Sequence, residues 1–405
     1  MKLKLFLIAA SAMALASCSS DEVVQSNESA NAIQFSVVAN NASRASEYFC
    51  NNDKPKQFNV WAKLDEGDGM KTYFQNESYS LKDGESAWTI DGGIVRYWPK
   101  TGQDVHFYAA RNHGSLTWNT TQPYVDAFTP ADNADSQKDF VYAYTVKSRP
   151  AYSENGKVDM NFRHALSQIV FKAKRESSKI FVEIDGVKVC NVASKGKFLF
   201  PAEKITVGES KVSNVTDAPF ESHTQAGAGK TLGLGTWTPI DFTKTYTSDF
   251  TNVPLTNLNE VYSLTDNTDV PATNVSPATV RDHKESMLLI PETTAEWDPA
   301  GGGATAEGPT GSYFLVSCKI RNIAGASVAD DDVYLWGDKN NSAEIAIPFA
   351  ANWEQGKKYI YTFVFTKTGH GGYVPGTGEE TLIPIKLNIT VDDFSDATNS
   401  DVNVD

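Results

Sequence analysis

Thr224–Thr231 reads TQAGAGKT and falls one residue short of the GxxxxGK[ST] loop that cradles phosphates. Thr224 stands where the first glycine is needed. Ala218–His223, leading in, is turn-like rather than a buried strand, and Gly233 and Gly235 follow where the motif needs a helix. The stretch therefore reads as a surface loop. Ala329-Asp330-Asp331-Asp332 offers carboxylates to a hard cation such as calcium. It lacks the spaced ligands and glycine of a calcium-binding loop and reads as an acidic hairpin tip. The histidines are scattered: His106 and His164 sit beside apolar residues, and His370 lies in a glycine-flanked loop. HExxH, CxxC and GxSxG are all absent, so the sequence supplies no set of residues for metal hydrolysis or nucleophilic catalysis. We expect no enzyme, no metal and no cofactor. Trp88, Trp118, Trp237 and Trp297 stand in polar contexts and could stack on sugars, although tryptophan in a β-sandwich ordinarily belongs to the core.

The most specific chemistry lies at the start. Lys2 and Lys4 precede an apolar run from Leu5 to Leu15, and Leu15-Ala16-Ser17-Cys18 closes it with small residues before a cysteine. A basic start, a short apolar stretch and small residues before the cut make a signal peptide over residues 1–17. The run is too short to span a bilayer, which takes about 20 apolar residues. Cysteine in that place follows the bacterial lipobox pattern, so Cys18 is expected to be acylated and to become the N-terminus. The polar, aperiodic residues 18–32 read as a tether.

The chain has 405 residues, room for two or three domains, and 40% hydrophobic content can supply a core. Its net charge is −14, and loss of Lys2 and Lys4 would make it −16. That balance disfavours nucleic acid as a partner, because phosphate binding rests on clustered Lys and Arg. Beyond Cys18 three cysteines remain, an odd number that leaves room for at most one bridge; Cys190–Cys318 is one candidate.

Past the tether, the pattern is almost entirely that of strands. Ile33-Gln34-Phe35-Ser36-Val37 alternates apolar and polar residues, the mark of a half-buried strand. Phe58–Ala62, Val105–Ala109, Phe140–Val146, Ile169–Lys174, Ile180–Ile184, Tyr313–Ile320, Tyr359–Phe365 and Ile383–Val391 follow suit, separated by Gly, Asn, Asp, Ser and Pro. The best helical stretch is short, around His164 to Gln168. The pattern predicts an all-β protein of antiparallel β-sandwiches. A turn-rich break around residues 148–156 divides an N-terminal β-sandwich domain, residues 33–152, from a C-terminal one, residues 153–405. The second carries long loops with short strands over residues 208–276.

Several segments together resemble the fimbrillin family, the lipoprotein pilins of type V pili. Ile33–Val38 followed by Ser43-Arg44-Ala45 resembles the family's first strand and the arginine after it. Arg96-Tyr97-Trp98-Pro99-Lys100, then Val105–Ala109, is similar to its YWP stretch and following strand. Asp139–Ala143 resembles the next strand. Phe162-Arg163-His164-Ala165-Leu166-Ser167-Gln168-Ile169 is the most specific match. Met287–Pro291 resembles a further motif, with Glu292 where glutamine is commoner. Trp353–Tyr361 matches the pattern W..Gk.Y.Y.

The resemblance implies two tandem transthyretin-like β-sandwich domains and an assembly mechanism. A precursor held to the outer membrane through Cys18 is cut by an arginine-specific protease, here between Arg44 and Ala45. The strand carrying Ile33, Phe35 and Val37 then leaves, and a strand of another pilin subunit fills the groove, by the physics of strand addition. Residues 33–44 are thus the removable piece, and the destination is an extracellular fimbrium. The candidate donor is the C-terminal strand with Ile383, Ile385, Leu387, Ile389 and Val391 on one face; it reads equally as an integral last strand. The tail Ser395–Asp405 is too polar for a donor, which suits a tip or accessory subunit. Host or bacterial surface glycans or proteins are the expected adhesive partners. The alternative is a glycan-binding surface lipoprotein of a nutrient-uptake system, which needs no cut at Arg44.

Overall fold

A computed structural model describes most of residues 32–38, 57–148 and 157–393; within the last span, residues 202–205, 208–209, 212–233, 266–285, 300–310, 324–327, 330, 367–371 and 382–384 fall outside the description. Cys18, Cys50, Arg44, Ala45, Thr224–Thr231, Ile383 and Ser395–Asp405 therefore lie outside the described residues.

The described chain is all-β. Its regular elements are strands, with a short 3-10 turn at Ala134–Ser136. The first sheet has eight strands, in the order Arg163–His164, Val141–Ser148, Asp104–Arg111, Gln57–Asp65, Met70–Leu81, Trp88–Ile90, Gln34–Val38 and Lys157–Asn161. Side chains bridge its two ends: Thr145 Oγ1 donates to the Asp159 carbonyl at 2.9 Å and Lys147 Nζ to the Lys157 carbonyl at 2.6 Å. The sheet thus wraps around one core, which includes Phe35, Phe58, Phe74, Tyr79, Trp88, Phe107 and Met160. Alternation makes this possible, because every second side chain of a strand points the same way.

Two further sheets face each other over a second core. One runs Tyr262–Ser263, Ser167–Arg175, Lys357–Phe365, Ile385–Asp393, with Met287–Leu289 also paired to Ser167–Arg175. The other runs Lys244–Pro254, Ile180–Val192, Tyr313–Asn322, Val333–Trp336, with Ala343–Pro348 also paired to Tyr313–Asn322. Phe171, Phe314, Phe349, Tyr361 and Phe363 stack between them. A four-stranded sheet, Thr236–Ile240, Lys195–Leu199, Pro123–Phe128 and Leu116–Trp118, draws strands from both sides of residue 152. Its core does the same, joining Tyr108, Phe140 and Tyr142 to Leu166, Phe198 and Leu288.

Three expectations are corrected. The helical stretch at His164–Gln168 is extended: Arg163 and His164 pair with Val141 and Tyr142, and Ser167 opens a strand. Ser167 and Gln168 are both buried, and sheet pairing on both sides overrides the weak local helical spacing. Residues 208–276 hold more than short strands, since Lys244–Pro254 is eleven residues long and pairs along Ile180–Val192. Cys190 and Cys318 are both free and buried. Cys190 faces Tyr313 across the ladder while Cys318 faces Ile184, so the pairing register holds them apart.

Candidate functional site

The Gln34–Val38 strand lies between two neighbours that are remote in sequence. On one side it pairs parallel with Lys157–Asn161 through five register positions, from Gln34↔Lys157 to Val38↔Asn161. On the other it touches Trp88–Ile90 antiparallel at Phe35↔Trp88. Ile33, Phe35 and Val37 are 4%, 0% and 3% exposed, so the alternating apolar residues of the sequence all enter the core. Phe35 is central: its ring meets those of Tyr79, Phe107 and Phe58 edge-on at centroid separations of 4.6, 5.5 and 6.2 Å. On the outer face, the Ser36 hydroxyl donates to the Asp159 carboxylate. Full burial of three such side chains is worth roughly 5–9 kcal/mol in all. Removing the strand would open an apolar slot and leave the backbone of Lys157–Asn161 unpaired on that side, a template for another strand.

A clasp that sequence reasoning missed holds the start of this strand. The Ile33 amide donates to the Arg96 carbonyl at 2.7 Å, and Ala32 bridges to Tyr97. Arg96 is pinned in turn, its Nε donating to Glu77 Oε1 at 2.8 Å, while the Tyr73 hydroxyl donates to the Tyr97 carbonyl. The Arg96–Lys100 motif was visible as a resemblance, but nothing local in it tells which strand its carbonyl will meet.

The candidate donor is an edge strand of its own sheet. Ile385–Asp393 pairs antiparallel with Lys357–Phe365 at all nine positions. Ile385 is 1% exposed and Leu387 packs on the core, whereas Ile389 and Val391 are 48% and 53% exposed. On that face Ile385 and Leu387 are covered, while Ile389 and Val391 are left open.

Two of the motif segments meet where the cores join. The Gly356 amide donates to the Leu166 carbonyl at 2.9 Å, and Ser167 Oγ donates to the Glu354 carbonyl at 2.8 Å. Gly356 sits at φ 69°, a left-handed conformation that glycine adopts without strain. Beside them, the Tyr142 hydroxyl donates to Gln355 Oε1 at 2.9 Å and accepts from the Gly235 amide at 2.8 Å, while Gln355 Nε2 donates to the Gly235 carbonyl at 2.7 Å. A Cβ at Gly235 would stand 2.1 Å from the Phe198 ring and 2.9 Å from the Leu199 carbonyl. Gly235→Ala is therefore expected to lower stability by about 1–3 kcal/mol through overpacking. Urea unfolding followed by tryptophan fluorescence checks this, and an unchanged midpoint would show that the junction yields freely.

The other sequence candidates do not assemble into a site. None of the eight tryptophans is exposed: Trp88 and Trp297 are core, and Trp118 and Trp237 are partly buried against the second and first halves' shared core. Trp88 and Trp297 are thus closed to a sugar ring. Asp332 closes a turn, its carboxylate accepting from the Ala329 amide at 2.7 Å. Among the described residues, no group of three or more His, Cys, Asp and Glu side chains is arranged to hold a metal. His106 is buried, its Nδ1 2.8 Å from the Tyr144 hydroxyl, and burial pushes its pKa down to about 4 despite the opposing field of Asp65. It is a neutral core residue at physiological pH.

A family model described as fimbrillin-like matches residues 42–391. A solved fimbrial protein from Bacteroides vulgatus superposes with a TM-score of 0.53 at 13% identity, covering 89% of this chain and 99% of that one. That similarity speaks for the fold. A proposed cell adhesion protein from Bacteroides uniformis aligns over 90% of this chain and 99% of its own at 13% identity, with a TM-score of 0.42. No curated protein matches the sequence.

Proposed function

The chain belongs to the fimbrillin-like family, and from that premise we propose that it is a structural, adhesive pilin subunit of the cell surface that works without catalysis. In this reading the precursor is exported through the signal peptide of residues 1–17 and held at the outer membrane by lipid on Cys18. Cleavage between Arg44 and Ala45 frees the strand of Ile33, Phe35 and Val37, and a strand from another pilin subunit replaces it.

The observation that carries the reading is the seating of Gln34–Val38. It fills the centre of a core, lies between partners distant in sequence, and is joined to the next described strand, which begins at Gln57, through residues 39–56 that contain Arg44. One cut in that connection makes the strand a separate ligand of its own domain. The opposite strand favours accepting over donating, because donation of Ile383–Val391 would break the pairing of Ile385–Asp393 with Lys357–Phe365. A tip or accessory position fits such a subunit, with a surface glycan or protein as its adhesive partner.

The test is the N-terminus of the protein taken from the native cell surface. We expect the chain to start at Ala45, and Arg44→Ala to leave it uncut and absent from fimbriae. An acylated Cys18 at the N-terminus of the assembled form would overturn strand removal.

A further inference from the structure

The Ile385–Asp393 strand ends its sheet: it pairs with Lys357–Phe365 on one side, and no described strand takes its other edge. An open edge displays alternate N–H and C=O groups to any strand that approaches, and proteins usually blunt it. Here the edge combines that backbone with Ile389 and Val391, half exposed on the side of the sheet that faces the core. The second sheet covers Ile385 fully and Leu387 in part, and beyond Leu387 the row runs out from under it.

We propose that this edge pairs antiparallel with the same strand of a second copy of the chain, about a two-fold axis through Ile389. Over 386–392 the sequence KLNITVD is self-complementary in that register, while the outermost pair sets Ile385 against Asp393. Ile389 meets its own copy on the axis, Leu387 meets Val391, Asn388 meets Thr390, and Lys386 comes to the register position of Asp392. Symmetry makes each unlike pair occur twice. Opposite charges across a strand pair are favourable and like charges are not. A parallel arrangement would set Lys386 against Lys386 and Asp392 against Asp392, so charge selects the antiparallel one. A slip of one residue would put apolar side chains opposite polar ones, which the two-residue period of a strand does not allow. The pairing joins Leu387, Ile389 and Val391 of both copies into one apolar row and covers the two exposed residues.

The strand keeps its place in its own sheet throughout. This contact is therefore different from strand exchange and does not rest on the reading of Arg44. A subunit paired this way has its candidate donor strand engaged on both edges.

Sedimentation velocity tests the proposal on the full chain carrying Cys18→Ser, so that no lipid contributes to association. A dimer whose share grows with concentration is expected. Ile389→Lys and Ile389→Glu each place two like charges on the axis, and each is expected to weaken the dimer by about tenfold or more. Mixed one to one, they set Lys against Glu and are expected to restore it as a heterodimer. Both variants should melt with the unaltered protein, since Ile389 is half exposed. A chain that stays monomeric at all concentrations, a variant that dimerises undiminished, or a mixture that fails to restore association would each overturn the proposal.

Discussion

Phe35→Ala is expected to lower the unfolding free energy by about 3–5 kcal/mol, the cost of removing a large aromatic from a closed core. Phe35 has no exposed surface, and its ring is held edge-on by Tyr79, Phe107 and Phe58. Those rings sit on Met70–Leu81, Asp104–Arg111 and Gln57–Asp65, three neighbouring strands that cannot all collapse into the space left behind. Ile33→Ala and Val37→Ala remove less volume and are expected to cost less. Ser36→Ala deletes one half-buried hydrogen bond to Asp159 and is expected to cost about 1 kcal/mol. Urea unfolding followed by tryptophan fluorescence reads the series. The ranking matters as much as the sizes: Phe35→Ala no worse than Ser36→Ala would mean the strand is held by its edge contacts, and that its removal opens no slot. The same series bears on release. After a cut between Arg44 and Ala45 the strand is bound only by these contacts, and a loss of about 3 kcal/mol shortens its hold by a factor above one hundred.

Much of this fold can be read locally. Ile33–Val37, Phe58–Ala62, Tyr313–Ile320 and Tyr359–Phe365 alternate clearly, and each is a strand. What cannot be read locally is who pairs with whom. That Gln34–Val38 lies parallel to Lys157–Asn161 depends on a closure across more than a hundred residues, and nothing within either segment encodes it. Lys244–Pro254 escaped notice because Ser248 shares the buried face with Tyr246 and Phe250, which thins the apolar pattern. The helical spacing around His164 lost to pairing, since Ser167 and Gln168 are locked by Glu354, Ser286 and two neighbouring strands. The last strand shows the converse limit. Alternation says that Ile385, Leu387, Ile389 and Val391 share a face; only the extent of the opposing sheet decides that the last two are left open. The candidate removable strand was legible because its burial follows from alternation alone, while the clasp from Arg96 was not, because a backbone carbonyl carries no sequence signature.

Glu292→Gln is expected to stabilise the protein in mildly alkaline solution. Glu292 is 5% exposed, and both carboxylate oxygens lie 3.1 Å from a single donor, the Ala193 amide. Among the described residues no Lys or Arg pairs with it, and burial pushes its pKa from 4.5 up to about 8, with the Ala193 hydrogen bond pulling the other way. The sign follows directly. The folded state holds this proton more tightly than the unfolded chain, so the favourable situation is complete below pH 4.5 and is lost as pH rises toward 8. The loss amounts to roughly 3–5 kcal/mol by the alkaline side of that window, at about 1.4 kcal/mol for each pH unit. Glutamine keeps an acceptor for the Ala193 amide and carries no charge at any pH, so the variant should lack this slope. Its stability should match the unaltered protein near pH 5 and exceed it by about 3 kcal/mol near pH 8. Denaturant melts at pH 5, 6.5 and 8 measure the difference. Parallel pH profiles for the two proteins would show that Glu292 is ionised in the fold and that a partner beyond the Ala193 amide stabilises it.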